Sequence, residues 1–105
     1  MKSSTRKGTS PNYGRIRTPE DLGALARAER HQQALNLSDV HETTGIGMRF
    51  LSEFERGKPN ASLGRVMDTL KALGLEVLIL PRGEAQRLLA LRKQDRPVAG
   101  RKDEA

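Results

Sequence analysis

Apolar and polar residues alternate along this chain with the period of short amphipathic helices. The clearest run follows Ser62, where apolar side chains recur at positions i, i+3, i+4, i+7 and i+10, namely Leu63, Val66, Met67, Leu70 and Leu73. Positions with this spacing share one face of a helix, so the run predicts a helix that faces a core. Ser62 is suited to cap its start, and Gly74 to end it.

An earlier helix is predicted to begin after Thr18, which can cap the first turn, with Pro19 in the first helical position. We expect it to run to about Gln33. Its apolar face is formed by Leu22, Leu25 and Ala26. The side chains expected to point outward are Arg27, Glu29 and Arg30.

Two short helices are predicted between these longer ones. Asn36 caps the first, over about residues 37–43, and Gly45 supplies the left-handed residue that ends it. The second covers residues 48–55, with Leu51 and Phe54 on one side, before a break at residues 57–60. Two short helices that meet at a glycine are typical of a helix-turn-helix, whose second helix enters the major groove of DNA.

The apolar positions of all four helices predict one all-α core. Two positions differ from the usual helix-turn-helix pattern, because His41 stands where a small residue is common and Thr44 where an apolar residue is expected. The predicted core residues are Leu22, Leu25, Val40, Ile46, Leu51, Phe54, Leu63, Val66, Met67 and Leu70.

Residues 75–80 predict a short strand, because they are apolar and include the β-branched Val77 and Ile79. Two pairing partners are open: residues 15–17 of the same chain, or the same segment of a second copy. An exposed apolar edge is an association site, so we favour the homodimer. The predicted dimerisation residues are Leu75, Val77, Leu78, Ile79 and Leu80.

Charge and composition limit the function classes. The net charge is +6, but residues 18–81 hold seven basic and nine acidic side chains, so the excess lies in the two ends. Residues 1–14 predict a disordered basic arm, residues 15–81 one helix-turn-helix domain, and residues 82–105 a flexible, partly helical basic tail. The chain has no cysteine, and its two histidines have no carboxylate pair nearby at ligand spacing, so we expect no disulfide, metal site, cofactor or catalytic group. No apolar run approaches the ~20 residues that span a bilayer, and nothing requires an oxidising compartment, so we expect a non-enzymatic cytoplasmic protein without membrane segments.

Residues 15–81 resemble the Cro/cI-like (XRE) family of helix-turn-helix regulators. The resemblance rests on Gly45-Ile46, on Leu51-Ser52-Glu53-Phe54-Glu55-Arg56-Gly57-Lys58-Pro59, and on the run from Leu63 to Leu75. The lead-in at residues 15–22 and the strand after the fourth helix are most similar to the HipB-type antitoxins. The resemblance implies a lambda-repressor-like bundle with a dimerising strand, which binds a palindromic double-stranded operator, represses its own operon and restrains a HipA-like Ser/Thr kinase toxin.

The same resemblance implies which residues contact DNA. The start of the second motif helix reads bases in this family, which corresponds to Gly47, Met48, Arg49 and Ser52. Arg56, Lys58 and Asn60 follow that helix and suit phosphate contact, which sets register without reading sequence.

Several alternatives stay open at this point. Arg49 either binds a guanine or pairs with Glu53 one turn later, and Glu55 is expected to bond to a neighbouring helix end or an arginine. Phe50 is an apolar reader of DNA, part of a second surface, or folded under the arm. At the level of function, the alternatives are a protein-interaction module of the same fold with weak or no DNA binding, and a free-standing regulator without a toxin.

Overall fold

The computed structural model describes residues 13–95, so most of the predicted basic arm and the end of the tail lie outside the described residues. Five α-helices make up the fold: α1 (Pro19–Gln32), α2 (Leu37–Thr44), α3 (Met48–Glu55), α4 (Leu63–Ala72) and α5 (Arg82–Asp95). The prediction of an all-α bundle is confirmed. Among the described residues, no helix has both the length and the apolar character required to cross a membrane.

Helix starts follow the local sequence signals. The Thr18 hydroxyl accepts a hydrogen bond from the Asp21 amide at 3.0 Å, and Pro19 occupies the first helical position. Asn36 and Asp39 form a reciprocal capping box, with both hydrogen bonds at 2.8 Å. Ser62 caps α4, so all three predicted caps are confirmed. Each cap satisfies amide groups that the first helical turn cannot pair internally.

The core is formed by residues of α1 to α4 and of the turn between α2 and α3, and it confirms six of the predicted positions. Its buried apolar residues are Ala26, Val40, Ile46, Leu51, Phe54, Val66, Leu70 and Leu73. Leu22 and Leu25 are half-buried at its edge. The prediction was wrong for Leu63 and Met67, which are 73% and 46% exposed. Helix α4 buries Val66, Thr69 and Leu70, so Leu63 and Met67 lie at the rim of its apolar stripe.

Residues 75–80 form no strand and no other regular element within the described part of the chain, so the strand predicted there is not observed. The alternative in which they pair with residues 15–17 of the same chain is therefore not observed. A strand requires a hydrogen-bonded neighbour, and a single copy does not supply one here. Pairing with a second copy stays a prediction.

An apolar groove of about 410 Å³ lies beside residues 75–79. Leu63 and Met67 of α4 form one part of its lining, and Val77 and Ile79 form another. All four side chains are at least 46% exposed. The residues that the core leaves out thus form one continuous apolar surface.

Helix α5 (Arg82–Asp95) lies in the segment for which a partly helical tail was predicted. It lies against the start of the described chain, where the Arg92 Nη1 donates a hydrogen bond to the Tyr13 carbonyl at 3.3 Å. Ala85 and Leu89 are half-buried, whereas Leu88 and Leu91 are exposed.

Candidate nucleic-acid interface

The corner between α2 and α3 is held by side chains that the sequence pattern marked as unusual. Gly45 has a φ of 76°, the left-handed conformation predicted for it. The Thr44 hydroxyl donates to the Val40 carbonyl at 2.8 Å and accepts from the Ile46 amide at 3.0 Å. The His41 Nδ1 lies 2.8 Å from the Ile46 carbonyl oxygen, so it acts as the donor. Both departures from the usual pattern therefore brace the turn.

Helix α3 is anchored on α1 by a buried ion pair. The Arg30 Nε and Nη2 donate to the two carboxylate oxygens of Glu55 at 2.7 and 2.8 Å, and Nη1 donates to the Leu35 carbonyl at 2.9 Å. The prediction that Glu55 bonds to an arginine is confirmed. The prediction that Arg30 points outward was wrong, because its guanidinium replaces water with three protein acceptors and so tolerates burial.

Close backbone contact between α1 and α3 depends on Gly23. A Cβ atom at this position would lie 2.3 Å from the Phe54 carbonyl oxygen and 2.8 Å from that of Glu55. Only glycine lets the two helices approach this closely. The ion pair and this contact together fix the end of α3 and hence the direction of its outer face.

The outer face of α3 brings together the residues predicted to read bases. Gly47 caps the helix without a side-chain bond, Met48 is 45% exposed, and the Arg49 side chain is 91% exposed. Ser52 is half-buried one turn later. This arrangement gives a convex, polar helix face with an extended guanidinium at its start, which is the shape that a major groove admits.

The proposed phosphate-contacting residues follow directly. Arg56, Lys58 and Asn60 are all exposed in the segment that leaves α3. The Arg56 Nη1 donates to the Ser52 hydroxyl at 2.5 Å, so this arginine leans back over the helix face. No DNA is present, and contact of these seven residues with bases and phosphates stays a prediction.

Comparison with known proteins agrees with this geometry. No protein-family model matches the chain. Over 73 residues it is 41% identical to the HTH-type transcriptional regulator y4mF of Sinorhizobium fredii, a match that covers 70% of this chain and 96% of y4mF. The chain belongs to the helix-turn-helix family of transcriptional regulators.

Solved structures agree with the resemblance to the XRE family and its HipB-type members. The regulator superposes on the chain of the HipB-O4 20mer complex with a TM-score of 0.63 at 23% identity, covering 67% of the regulator and 99% of the HipB chain. The same values hold for the match in the HipA-HipB-O2-O3 complex. The regulator therefore has the HipB fold, as predicted.

Phe50 occupies the edge of the regulator's α3 rather than its outer face. Its ring stacks near Phe54, with centroids 6.4 Å apart, and the Arg65 guanidinium lies 5.7 Å above it. The side chain is half-buried against the core. A cation over an aromatic face is attracted by the ring quadrupole, so Phe50 positions Arg65 beside α3.

Sequence reasoning gave Glu53 no function beyond a pairing with Arg49, yet it lies at the centre of the outer face. Its Oε2 accepts from the Arg49 Nε at 3.2 Å and its Oε1 from the Lys58 Nζ at 3.1 Å. The hydrogen bonds from Lys58 and then Arg49 lower the pKa of the Glu53 carboxyl. The pairing with Arg49 was foreseeable from the four-residue spacing, whereas the contact with Lys58 depends on the turn after α3.

Proposed function

We propose that the regulator is a sequence-specific DNA-binding repressor that works as a homodimer on a palindromic operator. We further propose that it is the autoregulating antitoxin of a HipA-type Ser/Thr kinase, that it acts in the cytoplasm, and that it is not an enzyme. The observation that carries the proposal is the exposed outer face of α3, held in a fixed direction by the Arg30–Glu55 pair.

This face has the chemistry that base recognition requires. An exposed arginine at the start of a recognition helix can bind guanine O6 and N7 in a bidentate manner, and a thymine methyl suits the Met48 side chain. Basic side chains after the helix can hold the flanking phosphates and set its register. The proposal therefore assigns base contact to Gly47, Met48, Arg49 and Ser52, and phosphate contact to Arg56, Lys58 and Asn60.

The apolar groove supports dimerisation. Val77, Leu78 and Ile79 are 51%, 76% and 90% exposed, an unusual concentration of large apolar side chains in a small chain. Pairing of residues 75–80 with their copy across a two-fold axis would satisfy the unpaired backbone and cover the groove. A dimer of this kind places two recognition helices on half-sites about 34 Å apart.

The antitoxin part of the proposal is supported by the HipB fold, since HipB occurs with HipA in one of the matching structures. It predicts co-purification of the regulator with a kinase encoded by a neighbouring gene. If the neighbouring gene encodes no such kinase, the regulator is free-standing. In that case the DNA-binding proposal is unaffected.

A mobility shift with DNA from upstream of the regulator's own gene tests the proposal. We expect Arg49→Glu to abolish the shift while sedimentation still detects the dimer, and wild-type affinity to fall steeply with salt because bound counterions are released. Arg27→Glu is the matched control, because Arg27 is exposed on α1, away from the proposed interface, and carries the same charge change. Wild-type binding by Arg49→Glu would contradict the base-reading assignment, and absence of any wild-type shift would favour the protein-interaction module.

A further inference from the structure

Glu53 holds both of the basic side chains that flank it on the proposed interface. Each of its carboxylate oxygens accepts from a different cation, Arg49 on one side and Lys58 on the other. The Glu53 side chain is only 25% exposed, compared with 91% for Arg49. The acid thus lies in the surface of α3, and the two cations reach across it from opposite directions.

These pairs are easily exchanged. Both cations are substantially exposed, and solvent-exposed ion pairs contribute little net free energy. A DNA phosphate or a guanine can therefore take over Arg49 and Lys58 at small cost. The exchange leaves the Glu53 carboxylate facing DNA without either cation.

An unpaired carboxylate at a DNA surface is unfavourable unless it receives a hydrogen bond. Phosphates offer only acceptors and repel it. In the major groove, the exposed base edges that donate are the exocyclic amino groups, cytosine N4 and adenine N6. Glu53 therefore distinguishes a site that presents such an amino group from one that does not.

On the basis of the proposed DNA-binding function, we infer that Glu53 is a specificity-determining residue that neutralises Arg49 and Lys58 in the free protein and, on the operator, accepts a hydrogen bond from an exocyclic amino group. On other DNA the same carboxylate opposes binding. In the free protein, the hydrogen bonds from Lys58 and Arg49 lower the pKa of the Glu53 carboxyl, so it is ionised at neutral pH.

Selection from a library of random duplexes, followed by fluorescence anisotropy, tests the inference. Wild type is compared with Glu53→Gln, Glu53→Ala and the control Asp68→Asn. Asp68 is exposed on α4 and forms no ion pair in the described part of the chain, so its variant has the same change in net charge away from α3. The enriched duplex and a scrambled duplex are then titrated at several salt concentrations.

We expect wild type to enrich cytosine or adenine at one symmetric pair of positions, and the base found identifies the donor. Both Glu53 variants should lose that preference. Their affinity for the scrambled duplex should rise by about eightfold at 0.1 M salt, the effect of one additional neutralised phosphate. Asp68→Asn should behave as wild type.

The inference is overturned if wild type selects a site and both Glu53 variants keep its base preference, with affinity for scrambled DNA within twofold of wild type. A separate result would be that wild type binds the enriched and the scrambled duplexes with equal affinity. In that case the proposed sequence-specific function itself fails. Circular dichroism melting confirms that the variants fold, and either folded Glu53 variant is sufficient for the comparison.

Discussion

Removing the Glu55 carboxylate should destabilise the domain far more than loss of a surface ion pair does. In the Glu55→Ala variant, the Arg30 guanidinium keeps only the Leu35 carbonyl as an acceptor. Both side chains of the pair are 9% exposed, so little water can replace the lost carboxylate. The variant therefore leaves a buried positive charge without its counterion.

The size of the destabilisation follows from the hydrogen bonds of the Arg30 guanidinium and from the burial of its ion pair with Glu55. Hydrogen bonds to charged groups contribute about 1.5–3 kcal/mol each, and two of them are lost. Breaking a buried ion pair by removing one partner costs about 3–5 kcal/mol. For a domain of this size, in which 1 kcal/mol corresponds to about 4–8 °C, that loss lowers the melting temperature by roughly 12–40 °C.

Urea unfolding followed by circular dichroism measures the effect. Replacing both partners, as Arg30→Met with Glu55→Leu, is the informative control, because two apolar residues leave no charge to bury. We expect this double variant to be close to wild type, since such replacements are often neutral or stabilising. A loss below about 1 kcal/mol in the free energy of unfolding of Glu55→Ala would refute the reasoning, because that is the range typical of solvent-exposed ion pairs.

Two further predictions concern backbone fit. Gly23→Ala should cost about 1–3 kcal/mol in the free energy of unfolding because its Cβ would collide with the Phe54 carbonyl oxygen, whereas Gly64→Ala on α4, where the nearest atom is 4.0 Å away, should stabilise by about 0.5–1 kcal/mol. Equal changes in the free energy of unfolding for the two variants, measured by urea titration, would contradict the close approach of α1 and α3. Ala34 ends α1 with a φ of 59°, so Ala34→Gly should stabilise by about 0.5 kcal/mol, and a lower melting temperature would argue against that geometry.

The features that sequence predicted well are decided by neighbours along the chain. Thr18, Asn36 and Ser62 cap their helices because each hydroxyl or amide reaches an amide three residues later. Gly45 turns the chain because its own backbone permits a left-handed conformation. These are local effects, so the amino-acid sequence contains most of the information needed to predict them.

The features that sequence missed depend on what lies across the fold. Arg30 has charged neighbours in the sequence, which predicted exposure to solvent. Its guanidinium instead binds the carboxylate of Glu55, which lies 25 residues later in the chain. Leu63 has the right spacing for the core, yet whether a residue at the edge of an apolar stripe is covered depends on the neighbouring elements. The contact between Lys58 and Glu53 likewise follows from the turn after α3, whose path spacing alone does not specify.

Glu53 and Glu55 lie two residues apart on α3, and they separate the stability of the fold from the proposed recognition of DNA. A helix of eight residues is not stable alone, so α3 depends on its buried side, where Leu51, Phe54 and Glu55 contact the rest of the domain. Glu53 and Arg49 lie on the opposite side and contribute little to the fold. Substitutions on the outer side should therefore change DNA selectivity at nearly constant melting temperature, whereas Glu55 variants should lose binding only as far as they lose the folded domain.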